Sequence, residues 1–201
     1  MATLTLIRHG ETQANLDGVW HGSTDTPLTE RGLAQAQRVA GWAADACRDA
    51  VALYSSPLQR ARRTAEAVAA GLGRELCLDP DLAEYDLGNW EGKSYAALYE
   101  EHQLWQHMKR DPDFAPHGGE SPREVTERFS GALLRIGAAH RGQRVIVVTH
   151  GGALSMGLAH LLDGDYTAWG KVMDNCAVSE LEVYPRPSMT SFNQTDHLEG
   201  I

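Results

Sequence analysis

At 201 residues, with 42% apolar and 22% charged residues, the chain is long enough for one sizeable core and short for two domains. Its net charge of −9, offset by no basic run, excludes a general nucleic-acid or membrane-surface binder, although a small anion can still bind where a few arginines converge. Three widely spaced cysteines, Cys47, Cys77 and Cys176, fit reduced thiols in a cytoplasm rather than a disulfide framework or zinc site, and Arg8 interrupts the first apolar stretch too early for a signal peptide.

Residues 3–7 form a short apolar, β-branched run expected to be a buried strand, and it stops at Arg8-His9-Gly10. A long polar connection follows over 13–28, carrying Asn15, Trp20-His21-Gly22 and Ser23-Thr24-Asp25. Connections of this length without a pattern of their own are more often functional than idle. Thr29 reads as the N-cap of a helix from Glu30 to about Cys47, with Leu33, Ala36, Val39, Ala40 and Ala43 as its apolar face.

Residues 51–54 form a second short strand, ending in Ser55-Ser56-Pro57, where Ser56 is expected to cap and Pro57 to open the next helix. That helix runs over 58–70 and closes at Gly71 and Gly73. Arg60 sits in its first turn, near the positive end of the helix dipole, a good place to hold an anion; Arg62 and Arg63 face elsewhere and read as solvated. A third strand is expected over 75–78, then a loop over 79–92 in which acids, glycines and aromatics mix without periodicity.

Residues 95–109 read as one helix, with Leu98, Leu104, Trp105 and Met108 as buried positions, and the Pro/Gly-bearing stretch 111–119 could form part of a lid. Ser121-Pro122-Arg123-Glu124 is a capping box opening a helix to about Ala139, whose apolar side is Val125, Phe129, Leu133 and Ile136. The continuous apolar run within 144–149 is that of a central parallel strand; it ends in His150-Gly151-Gly152, and a helix follows over 153–162. A further strand is expected over 177–184 and a short one near 191–193. Alternating strands and helices without a linker imply one domain over 1–201 built on a helix-covered, mostly parallel sheet.

Three strand ends now carry related chemistry: Arg8 and His9 after the first, Arg60 after the second, His150 and Gly151 after the apolar strand at 144–149. In a parallel sheet these ends share one edge, where open α/β sheets bind ligands. Two arginines and two histidines around one point make a cationic pocket in an acidic protein, suited to a phosphoryl group.

These residues resemble the histidine phosphatase superfamily, the phosphoglycerate mutase-like proteins, over nearly the whole chain. The resemblance rests on Arg8-His9-Gly10-Glu11-Thr12 with Asn15, Asp25-Thr26-Pro27-Leu28-Thr29 with Gly32 and Gln35-Ala36, and Ser55-Ser56-Pro57-Leu58-Gln59-Arg60-Ala61 with Thr64-Ala65. It continues in Glu84-Tyr85-Asp86-Leu87-Gly88 with Trp90-Glu91-Gly92, Gly118-Gly119-Glu120-Ser121 and Thr149-His150-Gly151-Gly152. It implies a three-layer α/β/α sandwich and a phosphomonoesterase in which His9 is the nucleophile and forms a phosphohistidine. Arg8, Arg60 and His150 would bind the phosphoryl oxygens, and Glu84 would protonate the leaving oxygen and then activate water. Asn15, His21, Gly22 and Gly151 would lie at the phosphate and substrate side. Neither metal nor cofactor is required; the partner is a small phosphorylated metabolite, and the family suggests a homodimer.

Other readings of single residues stay open on sequence alone. Glu91, Asp86 and Asp81 compete with Glu84, and His150 is open to a structural role bonded to backbone. Trp20 and Trp90 read as packing residues, Gly119-Glu120-Ser121 first as a helix cap, and His197 as a mobile tail histidine able to reach the pocket. The alternatives to hydrolysis are mutase-type phosphoryl transfer, disfavoured because only residues 87–119 separate the Glu84 loop from the next motif, and metal-dependent hydrolysis on His9, His150 and Glu84. A non-catalytic phosphate-binding module would lack the nucleophile or acid that are present here. His21 and Tyr85-Asp86-Leu87 depart from the commoner family pattern where leaving-group choice is set, so a sugar phosphate, phosphoserine-like metabolite, phosphoglycerate or ribazole phosphate are all candidate substrates.

Overall fold

The two most apolar stretches of the sequence, β1 (Thr3–Arg8) and β4 (Arg144–Thr149), pair in parallel at the centre of a six-stranded sheet. The computed structural model describes residues 2–167 and 172–201. The remaining strands are β2 (Ala50–Ser55), β3 (Leu76–Leu78), β5 (Val178–Glu182) and β6 (Ser188–Gln194), in the order β3-β2-β4-β1-β5-β6. The β3-β2, β2-β4 and β4-β1 pairs are parallel, whereas β1-β5 and β5-β6 are antiparallel.

Because strand side chains alternate between faces, β1 and β4 feed two separate cores. Leu4, Leu6, Val145 and Val147 are fully buried with Phe129, Leu133 and Ile136 of α6 (Pro122–Ala139) and Leu154 and Met156 of α7 (Gly151–Asp163). Ile7, Ile146, Val148 and Leu53 face the other way, onto Val39 and Ala43 of α2 (Glu30–Ala46) and Ala61, Ala65 and Val68 of α3 (Gln59–Leu72). The result is the expected three-layer α/β/α sandwich. Among the described residues, no helix is long and apolar enough to cross a membrane.

Several local expectations are corrected. The 13–28 connection opens with a one-turn helix, α1 (Gln13–Leu16), capped by Thr12. Leu33 is exposed while Gly32 and Gln35 are buried. The reason is backbone approach: a Cβ on Gly32 would sit 2.1 Å from the carbonyl oxygen of Glu11, and Gln35 Oε1 accepts from Glu11 N at 2.8 Å. Helix α2 therefore docks against residues 10–11 on its Gly32–Gln35 side, turning Leu33 outward.

The single helix expected over 95–109 is two, α4 (Tyr95–Glu100) and α5 (Leu104–Arg110), broken at Gln103, whose φ of 45° is left-handed. Ser56 does not cap α3. The helix starts two residues later, with Leu58 at the N-cap position, and Asp25 Oδ1 accepts from Gln59 N at 2.7 Å from across the chain. Arg62 and Arg63 are solvated, each paired with Glu66. The 111–119 stretch packs on residues 86–89, where His117 O accepts from Asn89 N at 2.9 Å, instead of facing the cavity described below.

Candidate active site

The β1–β4 register sets Arg8 opposite Thr149, and the β2–β4 register sets Ser55 opposite Val148. The residues just beyond these ends, His9, Ser56 and His150, therefore meet on one edge of the sheet.

His9 is almost wholly buried and lines a cavity of about 410 Å³. Its Nδ1 lies 2.7 Å from Gly10 O, which can only accept, so Nδ1 carries the ring hydrogen and Nε2 holds the lone pair. Burial, then the charges of Arg60 and Arg8, hold its pKa well below 6.5, so the ring is neutral at neutral pH. Its ring centroid lies 5.2 Å from that of His150 and 6.0 Å from that of His21.

Arg8 shares the floor of the cavity. One guanidinium nitrogen donates to Met173 O, while its buried Nε has no protein partner. Gly151 permits this placement, since a Cβ there would come within 3.1 Å of Arg8 Nε.

Arg60 is fully buried and stands behind the cavity. It donates to Gly22 O at 2.7 Å, Thr24 O at 2.9 Å and His150 Nδ1 at 3.2 Å. Since an arginine has five N–H donors, one on each terminal nitrogen remains. Burial lowers its pKa to about 10, which leaves it charged at neutral pH. Because Arg60 donates to Nδ1 of His150, the hydrogen of that neutral ring sits on Nε2, 2.8 Å from Ser56 Oγ.

Glu84 approaches from the loop after β3. Its carboxylate accepts from Gly152 N at 2.9 Å and Ala153 N at 2.6 Å, amides of the first turn of α7 that have no intrahelical acceptor, and from the neighbouring Tyr85 N at 2.9 Å. Arg128 pins the loop from behind, donating to the carbonyls of Asp81, Ala83 and Glu84 and pairing with Glu120. The competing acids are engaged elsewhere. Asp86 Oδ1 accepts from Gly88 N, Asp81 pairs with Arg135, and Glu91 accepts the amides and hydroxyls of Ser23 and Thr24. Of these four acids only Glu84 lines the cavity.

Asn15 and His21 complete the polar side. Asn15 Oδ1 accepts from Thr12 N at 3.1 Å and from Asn175 Nδ2 at 3.2 Å, so its own amide nitrogen is left over as a donor. Asn175 was not legible as a site residue in the sequence; it lines the cavity and also donates to His9 O at 3.0 Å. Burial, then Arg60, pulls the pKa of His21 down to about 4, so this ring too is neutral.

Tyr95, Trp105 and Val172 also line the cavity, as does Trp20, whose Nε1 donates to Tyr85 O at 3.1 Å. Trp20 is thus both a packing residue and a wall. Gly22 is close-packed, with a Cβ there falling 2.1 Å from Tyr85 O, and like Arg60 and His150 it sits behind the wall. His197 is docked away from the cavity: its Nε2 lies 2.9 Å from Cys176 O and its ring 5.7 Å from that of Trp42. Among the described residues, no three His, Cys, Asp or Glu side chains converge as a metal shell requires.

The arrangement brings a neutral imidazole, the guanidinium of Arg8 and the carboxylate of Glu84 to one cavity, with the buried guanidinium of Arg60 behind it. Comparison with known proteins agrees in class. The family model of the histidine phosphatase superfamily (branch 1) matches residues 4–195. The chain is 36% identical over 194 residues to the probable phosphoglycerate mutase GpmB of Cronobacter sakazakii, covering 95% of this chain and 89% of that one. It is 31% identical over 201 residues to the uncharacterized phosphatase PhoE of Bacillus subtilis, covering 100% of this chain and 98% of that one. Phosphoserine phosphatase from Entamoeba histolytica, solved with 3-phosphoglyceric acid, superposes with a TM-score of 0.86 at 30% identity, covering 98% of this chain and 100% of that one.

Proposed function

Because the chain belongs to the histidine phosphatase superfamily, we propose that it hydrolyses small phosphomonoesters through a covalent phosphohistidine on His9, without a metal ion. The observation that carries this reading is the state of His9: its Nδ1–H is held by Gly10 O and its basicity is depressed, leaving an unprotonated Nε2 on a ring that lines the cavity.

In the first step His9 Nε2 attacks phosphorus as the ester P–O bond breaks, and Glu84 passes a proton to the leaving oxygen. Nδ1–H, still bonded to Gly10 O, carries the positive charge that develops on the ring. In the second step Glu84 takes a proton from water, the new oxygen bonds to phosphorus, and the P–N bond breaks to release phosphate. Arg8 Nε, on the lining, faces the charge spread over the peripheral oxygens, and the two spare donors of Arg60 support it from behind the wall. His150 Nε2–H, held here by Ser56 Oγ, is the fourth donor, and Asn15 Nδ2 the fifth.

Hydrolysis is favoured over return of the phosphoryl group to a product alcohol because the cavity is open at its rim. Tyr95 and Val172 there are 38% and 51% exposed, so water reaches the intermediate. The three unpaired thiols support a reducing compartment such as the cytoplasm.

The test is turnover of an aryl phosphate in chelator by wild type and His9→Ala, with rapid acid and alkaline quenching. Turnover and an acid-labile, base-stable phosphoenzyme should both disappear in His9→Ala. Activity that needs added zinc, or a His9→Ala variant of undiminished rate, would reject the scheme.

A further inference from the structure

A group that moves a proton has to sit within hydrogen-bond reach of its partner, about 2.6–3.2 Å between heavy atoms. Glu84 meets that demand from an unpromising place. Residues 83–87 run between two single-turn 3₁₀ helices, Pro80–Leu82 and Gly88–Trp90, outside every strand of the sheet. Sites carried on loops are looser than sites on helices or strands, and a displacement of about 1 Å can lower a rate roughly 100-fold.

Six successive carbonyls show how this loop is held. Each one from Asp81 to Asp86 accepts a hydrogen bond from a residue outside the loop. Thr149 Oγ1 donates to Leu82 O at 2.7 Å, Trp20 Nε1 to Tyr85 O at 3.1 Å and Glu120 N to Asp86 O at 2.9 Å. Arg128 supplies the other three, to Asp81 O at 2.9 Å, Ala83 O at 3.0 Å and Glu84 O at 3.3 Å. Its Nε and Nη2 also donate to Glu120 Oε1 and Oε2, both at 2.7 Å. A guanidinium has five N–H donors, so Arg128 is saturated. Glu120 Oε2 accepts from Asp86 N at 3.1 Å as well, so Glu120 grips both polar groups of the Asp86 backbone.

Both residues are carried by one element. Ser121 and Glu124 form the capping box of α6, which leaves the Glu120 carboxylate to another task. Arg128 lies about two turns into the same helix, next to the fully buried Phe129. The Arg128–Glu120 pair is partly buried, and neither residue lines the cavity.

Resting on the phosphatase reading above, we infer that Arg128 and Glu120 are positioning residues for Glu84. They fix its loop so that one carboxyl group serves first as acid and then as base, and they touch neither the phosphoryl group nor the alcohol. The geometry of proton transfer is thus set from α6.

Arg128→Lys keeps the charge but cannot make five bonds. It should slow hydrolysis of the phosphoenzyme formed from an aryl phosphate by about 10–100-fold. The first-turnover burst of phenolate should persist, and inorganic phosphate should inhibit at the wild-type concentration, whereas a general loss of structure would move both. The decisive measurement is the same substitution in Glu84→Gln. With the proton-carrying group already absent, Arg128→Lys should change kcat there by no more than about twofold. Glu120→Gln, which weakens the anchor of Arg128, should show the same pattern with a smaller loss, and it carries the double-variant comparison if Arg128→Lys does not fold. An equal loss in the wild-type and Glu84→Gln backgrounds, or wild-type kcat in both single variants, overturns the inference while the phosphatase reading stands. A wild type that forms no phosphoenzyme on His9 removes both.

Discussion

The side-chain amide of Asn175 donates to the main-chain carbonyl of His9 at 3.0 Å, joining residues 166 positions apart. The same nitrogen donates to Asn15 Oδ1 at 3.2 Å. One amide thus fixes the backbone at His9 and the orientation of Asn15. Asn175→Ala should lower kcat/KM by roughly 10–100-fold, the equivalent of about 1–3 kcal/mol for buried bonds left unmade. Asn175→Asp gives a sharper readout. Its carboxylate would repel both Asn15 Oδ1 and the phosphoryl oxygens, and protonation would restore an O–H donor. Its pH–rate profile should therefore rise toward acid relative to wild type, which a purely structural defect would not produce.

Much of this site was legible from sequence because its chemistry sits at the ends of buried apolar strands. Thr3–Arg8 and Arg144–Thr149 are unmistakable strands, and their parallel pairing brings Arg8, His9 and His150 together. Asn175 escaped because nothing local marks it. It precedes Cys176, whose backbone φ of 57° is left-handed, and reaches His9 only because β5 runs antiparallel to β1. The break at Gln103 was hidden for the opposite reason. Residues 95–109 keep a helical spacing of apolar groups on both sides of it, and no glycine or proline in the sequence marks the left-handed Gln103 that separates Tyr95 from Trp105. Ser56 looked like a cap by composition; Asp25 takes the Gln59 amide, while Ser56 Oγ accepts from the Leu58 amide at 3.3 Å and lies 2.8 Å from His150 Nε2.

Stability should fall as the solution is acidified below about pH 6.5, the ordinary histidine value. His9 and His150 are held well below that value by burial and by Arg60, and His21 is drawn down to about 4. Between the folded and unfolded pKa values the unfolded chain binds protons that the native one does not, so stability rises with pH across that window and levels off above it. Each histidine contributes about 1.4 kcal/mol per pH unit inside the window, or roughly 4 kcal/mol for all three between about pH 7.5 and 5.5. Urea unfolding at the two pH values measures this directly. A transition midpoint unchanged across them would show that the buried rings accept protons in the native state. The window closes for His21 near its folded value of about 4.

Glu91 controls the site from outside it. Its carboxylate gathers the amides and hydroxyls of Ser23 and Thr24, and the carbonyls of Gly22 and Thr24 in turn accept from Arg60. Burial raises the Glu91 pKa, but these hydrogen bonds outweigh it and hold the group below its ordinary 4.5. Glu91→Gln keeps the size and loses the charged acceptor, a change of about 1.5–3 kcal/mol for charge-assisted bonds. The melting temperature should fall by roughly 3–10 °C for a chain of this length. KM should rise as Arg60 loses its fixed position, with His9 still able to be phosphorylated. Thermal melts alongside steady-state kinetics on one aryl phosphate check both parts; a change in either alone would uncouple the 22–24 loop from Arg60.

The two proposed roles of Glu84 differ in how they depend on the leaving group, and this separates them. An aryloxide leaves without help, so phosphorylation of His9 by an aryl phosphate needs no acid, whereas the hydrolysis that follows always needs the base. Glu84→Gln should therefore keep a rapid burst of about one phenolate per site and then turn over slowly, by roughly 10²–10⁴-fold, with phosphoenzyme accumulating. With an alkyl phosphate both steps are impaired and no burst should be seen. The amide also places its NH2 among the donors from Gly152, Ala153 and Tyr85, so a modest loss of stability is expected as well. Rapid-quench measurements with the two esters decide the matter. A burst lost equally with both would mean that Glu84 acts on the nucleophile or the phosphoryl group rather than on the leaving oxygen. In that case the proton donor must be sought among the other groups that line the cavity, with Tyr95 and His21 first.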